Sequence, residues 1–167
     1  MSRFSRSIRV EATPPDVWKA LVDVEAWPAW ASQFERIELL DSARLAQGSR
    51  VRIRPKAMLP ATWRVTEFEE GRAFTWESSL APGLRVQGGH VLTPDAAATA
   101  AEFWLEASGV LGSLLAPLLR RTVFSGNTRN ATEGLKRYME HRTGWIRTIG
   151  TEIRLGERVF PFLSLFP

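Results

Sequence analysis

The sequence predicts an α+β domain in which a curved antiparallel sheet of seven strands is closed by a long C-terminal helix. Three observations predict it. Short runs of alternating apolar and polar residues recur between turn residues, which is the signature of an antiparallel meander. No strand–helix–strand alternation and no internal repeat occurs, which excludes a doubly wound parallel sheet. The last predicted element is a segment of about 30 residues with helical apolar spacing, long enough to lie across the whole sheet.

The first strand is read over Phe4 to Ala12, where Ile8, Val10 and Ala12 alternate with polar residues. Thr13 then caps a helix with Pro14 and Pro15 at its first positions, Asp16 in its first turn and Val17, Trp18, Leu21 and Val22 as its apolar stripe. Pro28 prevents this helix from continuing, so AWPAWASQF reads as a break and a short second helical piece. Ile37 and Leu39 mark the second strand. Gly48-Ser49 turns, and Val51 and Ile53 face inward while Arg50, Arg52 and Arg54 face water. After a loop from Pro55 to Pro60, the strand from Ala61 to Phe68 directs Trp63 and Val65 inward. Glu70-Gly71-Arg72 turns into a strand with Phe74, Trp76 and Ser78 on one face. Ala81-Pro82-Gly83 turns again, followed by Leu84, Val86, Gly88, His90 and Leu92 on a shared face. Thr93-Pro94-Asp95 ends that strand, and Ala101, Phe103, Leu105 and Ala107 supply the last inward set. The long helix is read over Ser113 to Arg142, with Pro117 in its first turn or so, Gly126 at a bend, and Leu114, Leu115, Leu118, Leu119, Val123, Ala131, Leu135 and Met139 as its apolar residues.

Composition narrows the function. The 167 residues suit one domain, and 44% hydrophobic with 24% charged residues is a globular balance. No apolar run approaches the roughly 20 residues that cross a bilayer, and MSRFSRSIRVEATPP carries charges where a signal peptide needs an apolar stretch, so the expectation is a cytosolic protein without stable membrane insertion. The absence of Cys removes disulfides, thiolate nucleophiles and thiolate metal sites, and His90 and His141 alone are poor material for a metal centre. No metal and no cofactor are expected. The net charge of +4 comes from 22 Lys and Arg scattered among 18 acids without a run of five, which reads as a solvated basic surface and not as a nucleic-acid site.

Five stretches carry a family resemblance: ATPPDVWKALVDVEAWPAW, QGSRVRIR, TWRVTEFEEGRAFTWES, GGHVLTP and ATEGLKRYME. From Arg3 to Arg142 the chain resembles the START-like or SRPBCC superfamily, in particular its bacterial polyketide cyclase/dehydrase branch. The resemblance implies a helix-grip fold, and a cavity between sheet and long helix that binds a small apolar or aromatic molecule, polyketide- or lipid-like. It implies no shared catalytic triad.

On that reading Trp63, Phe74, Trp76, Val86, His90, Phe103 and Leu105 project from the concave side, Leu118, Thr122, Leu135 and Met139 approach from the long helix, and Trp27 and Trp30 stand near the mouth. Aromatic faces suit flat apolar ligands, although rings at alternating positions also serve as plain core. His90 is the one polar group in an inward apolar set, either a catalytic proton shuttle or a satisfied structural histidine; Ser78, Thr122 and Glu67 are its available companions. Three functions stay open: a ligand-binding protein with cyclase- or dehydratase-type chemistry, a true aromatase/cyclase using His90, and a non-enzymatic lipid or quinone carrier or interaction module. Residues 1–142 form the predicted domain and 143–167 an apolar extension, in which Thr143-Gly144 stops the helix. Ile146 to Val159 reads as a strand or irregular segment. The end, rich in Phe and Leu, packs on the domain, enters a partner such as a second copy in a homodimer, or reflects an altered reading frame.

Overall fold

The computed structural model describes residues 2–119 and 125–155. Seven strands among them form one antiparallel sheet: β1 (Ser2–Val10), β2 (Phe34–Leu39), β3 (Arg50–Pro55), β4 (Ala61–Glu69), β5 (Ala73–Ala81), β6 (Leu84–Asp95) and β7 (Ala98–Ser108). Their order is β1-β7-β6-β5-β4-β3-β2, so β2 to β7 form a meander and β1 closes on its far side beside β7. Alternation is clearest in β3 and β5, whereas β6 and β7 bury consecutive residues such as Gly88 to His90 and Phe103 with Trp104. In β3, for example, Val51 and Ile53 are buried while Arg50, Arg52 and Arg54 are exposed.

Helix α1 (Pro14–Val22) begins where Thr13 Oγ1 accepts a hydrogen bond from the Asp16 N–H, with Pro at its first positions. It buries Val17, Trp18 and Leu21. The Trp18 indole N–H reaches Glu70 Oε1 at 2.8 Å, which ties α1 to the β4–β5 turn. The second helical piece is a 3₁₀ turn, Val24–Ala29, whose Pro28 lacks the N–H that an α-helix would need.

At the C-terminus the chain departs from the sequence expectation of one helix over Ser113–Arg142. Two helices are present, α2 (Gly109–Leu119) and α3 (Ser125–Leu155). Gly109, at φ +87°, turns the chain straight from β7 into α2, and the Gly83 carbonyl accepts from the Leu111 N–H at 3.0 Å, so the helix starts four residues early. Nor does α3 stop at Thr143-Gly144, and the strand or irregular segment expected from Ile146 is helical as far as Leu155. The reason is energetic. A Thr and a Gly cost about 1 kcal/mol each at most, propagation adds a hydrogen bond per residue, and no proline occurs between 118 and 160. The rest of the expected apolar extension, 156–167, lies outside the described residues.

The core lies between the concave face of the sheet, α1, the 3₁₀ turn and the middle of α3, which contributes Ala131, Leu135 and Met139. Arg6 on β1 donates to Glu133 Oε1 on α3 at 3.1 Å. Gly134 allows the close approach of α3 to the 3₁₀ turn, because any Cβ there would overlap the Trp30 carbonyl oxygen. The middle of α3 is thereby fixed at a backbone-to-backbone contact.

Candidate functional site

Strand register brings the inward residues of four strands into two rows. Phe74 pairs with His90 and His90 with Phe103; one step nearer the β5–β6 hairpin, Val65 pairs with Trp76, Trp76 with Gly88 and Gly88 with Leu105. The first row is closed by ring contacts. The His90 imidazole stacks on Phe74 at 4.5 Å and meets Phe103, Trp27 and Trp76 edge-on at 4.6, 5.1 and 5.4 Å. The second row leaves a gap because Gly88 has no side chain. A Cβ there would stand 2.8 Å from Trp76 Nε1 and 3.0 Å from a Leu105 methyl.

That gap is part of a cavity of about 90 Å³ between the sheet and the first turns of α3. Trp27, Trp63, Trp76, His90, Phe103 and Leu105 line it, together with Gln33, Phe34, Ile53, Pro55, Met58, Gly88, Asn127, Thr128 and Ala131. None of these residues is Asp, Glu, Lys or Arg. At roughly 30 Å³ per liquid water the space equals about three waters, well under the roughly 300 Å³ at which drug-sized sites begin.

Two polar atoms on this lining lack partners. Gln33 donates its amide to the Asn127 carbonyl at 3.3 Å but leaves Oε1 buried and unbonded, and His90 Nδ1 is likewise buried without a partner. Burial lowers the His90 pKa from 6.5 to about 3, with no carboxylate among its ring contacts to hold the charged form. The ring is therefore neutral at physiological pH, able to donate one hydrogen bond and accept one. A base this weak is mismatched to proton abstraction near pH 7. Its expected companions do not reach it. The Ser78 hydroxyl donates to the Thr62 carbonyl at 2.9 Å, Glu67 is exposed and bonded to Thr75, and Thr122 lies outside the described residues.

Of the described residues expected at the site, six lie on the cavity and the others stand elsewhere. Trp27 is 1% exposed, with its indole N–H on the Leu21 carbonyl at 3.0 Å; it sits in the centre of the ring cluster, not at a mouth. Trp30 packs on Trp27 and Tyr138 and is also buried, because Gly134 draws the 3₁₀ turn under α3. Phe74 supports His90 from the core, Val86 belongs to a small cluster with Ala107, and Leu135 and Met139 are core residues of α3. Leu118 is not on the cavity: it lies on α2, which ends before α3 begins, and is 60% exposed. The residues that sequence reasoning passed over are mostly polar or small. Gln33 and Phe34 lie where β2 begins, three residues before the Ile37–Leu39 alternation, Trp104 is the neighbour of the inward Phe103 and Leu105, and Asn127 and Thr128 are polar residues in the first turns of α3.

Residues 1–140 match the family "Polyketide cyclase / dehydrase and lipid transport". The chain belongs to this family. Its fold is that of the START-like superfamily. It superposes on a hypothetical protein of Helicobacter pylori with a TM-score of 0.70 at 18% identity, over 83% of this chain and 88% of that one. The Zhui aromatase/cyclase of Streptomyces sp. R1128 gives 0.65 at 18% identity, covering 85% and 95%. A START superfamily protein of Mycobacterium smegmatis gives 0.63 at 17%, covering 83% and 97%. Likeness at these identities establishes the helix-grip fold alone. No curated protein matches the chain significantly. Among the described residues no helix is long and apolar enough to cross a membrane, and no cluster of His and acidic residues could hold a metal ion.

Proposed function

We propose that this protein binds a small neutral molecule built around a ring, held between the sheet and the first turns of α3, with His90 as a hydrogen-bonding group. One observation carries the reading: a partly open space of about 90 Å³ whose wall is largely aromatic and free of ionised side chains, yet retains two unpartnered polar atoms. A charged ligand would lose its hydration there with nothing to replace it. A neutral ring with one hydroxyl or carbonyl loses little and gains face and edge contacts. At about 90 Å³ the space is smaller than the roughly 150 Å³ cavity that holds a benzene ring, so a ring enters as the open side widens, and a longer polyketide- or lipid-like chain requires the β3–β4 loop and the start of α3 to move well apart.

Quenching of tryptophan fluorescence by a neutral phenol, set against the negatively charged and slightly larger benzoate ion, tests this, because Trp27, Trp63 and Trp76 all line the space. Saturable quenching by the phenol alone supports the reading; equal response to both, or to neither, removes it. Native mass spectrometry of protein from its own host would identify a retained ligand.

The second reading is cyclase- or dehydratase-type catalysis, favoured by the family's description and by the aromatase/cyclase title of one structural neighbour. It requires His90 to act as a base despite a pKa of about 3. His90→Ala that abolishes turnover while keeping binding supports it; retention of both takes His90 out of the chemistry. A non-enzymatic carrier is what remains in that case.

A further inference from the structure

The register places three segments at one end of the sheet. Ile53 pairs with Ala61, Ala81 with Leu84 and Arg85 with Ser108, so the β3–β4 loop, the β5–β6 hairpin and the start of α2 are neighbours. This end is unusually apolar. Leu59 at the loop tip is 88% exposed, Val110 on α2 82% and Leu114 one turn later 75%, with Met58, Leu80 and Leu111 also exposed. Val110 and Leu114 are four residues apart and share one helix face. At the other end of the sheet only Leu40 among the described residues is an exposed large apolar side chain.

Charge within these three segments is of one sign. Residues 55–60, 80–85 and 109–119 contain Lys56 and Arg85, both exposed, and no acid. Ion pairs occur at both ends of the sheet, Arg54 with Glu35 and Arg3 with Glu106 at this one and Arg72 with Glu69, Arg9 with Asp95 and Arg50 with Asp41 at the other, but no acid lies within the three segments themselves.

We propose that this end docks on the surface of an anionic lipid bilayer. Leu59 and the Val110–Leu114 face of α2 enter the boundary between headgroups and acyl chains, and Lys56 and Arg85 face the phosphates. The chemistry of the patch favours lipid over a protein partner. Apart from Met58 these exposed side chains are Leu and Val with no aromatic ring among them, and Ser113 is the one side-chain hydrogen-bonding group in the whole of α2, so the face offers little of the paired hydrogen bonding of a protein interface. Met58 joins the two features, since it is exposed at this end and also lines the cavity, so docking sets the cavity rim against the lipid. The proposal concerns the surface alone and holds whether or not the cavity binds a ring.

The test is co-sedimentation of the full chain with vesicles of phosphatidylcholine, alone or doped with phosphatidylglycerol. We expect pelleting with the anionic vesicles, weakened by added salt. Leu59→Asp and Leu114→Asp should each lower the partition at least about tenfold with an unchanged circular dichroism spectrum. Lys56→Glu should lower it several-fold on anionic vesicles only. No pelleting, equal pelleting of parent and Leu114→Asp, or indifference to lipid charge overturns the proposal. So does a solution mass showing a dimer that Leu114→Asp dissociates in the absence of vesicle binding, which would assign the face to a second copy.

Discussion

The middle of the sheet and its open end are built from the same kind of residue and put to opposite use. Around His90, the rings of Trp27, Phe74, Trp76 and Phe103 lie 4.5–5.4 Å from the imidazole and are almost wholly buried. At the end, Leu59, Val110 and Leu114 stand in water. Apolar area removed from water stabilises the fold at roughly 25 cal/mol per Å², and area left in water contributes nothing to it. Stability therefore resides in the first region, and the second has no folding reason to be apolar. Substitutions that separate folding from surface behaviour are the way to break that contrast.

The largest effect is expected at Phe74, which is fully buried beneath His90 and also touches Trp18 and Trp76. Phe74→Ala should cost about 3–5 kcal/mol, transfer and cavity terms together, read from urea denaturation. A loss under about 1 kcal/mol would mean that the ring cluster is not the centre of stability.

His90 makes the same region sensitive to acid. In the unfolded chain the imidazole takes up its proton near pH 6.5, but in the fold it resists protonation down to about 3. Between those values the unfolded state binds more protons, so this contribution is intact above pH 6.5 and is lost as pH falls, at about 1.4 kcal/mol per pH unit and on the order of 4 kcal/mol by pH 3. His90→Phe, which keeps a ring and removes the titration, should flatten the stability profile across that window. Identical slopes for the two proteins would place the acid sensitivity in carboxylates such as Asp41, whose pKa Arg50 lowers.

Gly88 tests the boundary between packing and space. Its missing side chain is what lets the Trp76 indole and Leu105 lie against the β6 backbone beside the cavity. Gly88→Ala should cost about 1–3 kcal/mol by overpacking. It should also reduce phenol quenching at temperatures where the variant is fully folded. Unchanged quenching would mean that the ring enters elsewhere.

How far the sequence reveals these regions follows from the physics of each. The sheet is legible because period-2 alternation is a local property: Val51, Ile53, Trp63, Trp76 and Phe103 each face the side their neighbours imply. Five cavity residues, Trp63, Trp76, His90, Phe103 and Leu105, follow directly from that alternation, together with the cavity's aromatic character. Gln33, Asn127 and Thr128 escape because their placement depends on where α3 meets the segment between the 3₁₀ turn and β2, a long-range contact held by Gly134 against the Trp30 carbonyl and by the Gln33–Asn127 hydrogen bond. The start of α2 is hidden for a related reason. Its register is set by the Gly83 carbonyl, a residue of a different hairpin, so the apolar stripe of Leu114 and Leu118 reads as an inward face when it is an outward one.

The smallest effect is expected where that misreading occurred. Leu114 is 75% exposed on a helix whose apolar neighbours Val110 and Leu118 are also exposed, so folding removes little of its surface from water. Leu114→Ser should therefore change the unfolding free energy by no more than about 0.5 kcal/mol, as surface substitutions do. The change in helix propensity, a few tenths of a kcal/mol, lies inside that margin. A loss above about 1.5 kcal/mol would show that Leu114 is buried in the folded protein in solution, by another part of the chain or by a second copy. The open end would then be part of the core, and the contrast between the two regions would disappear. A null result leaves the apolar end without a structural role, and its energy is then available only to whatever surface the protein meets.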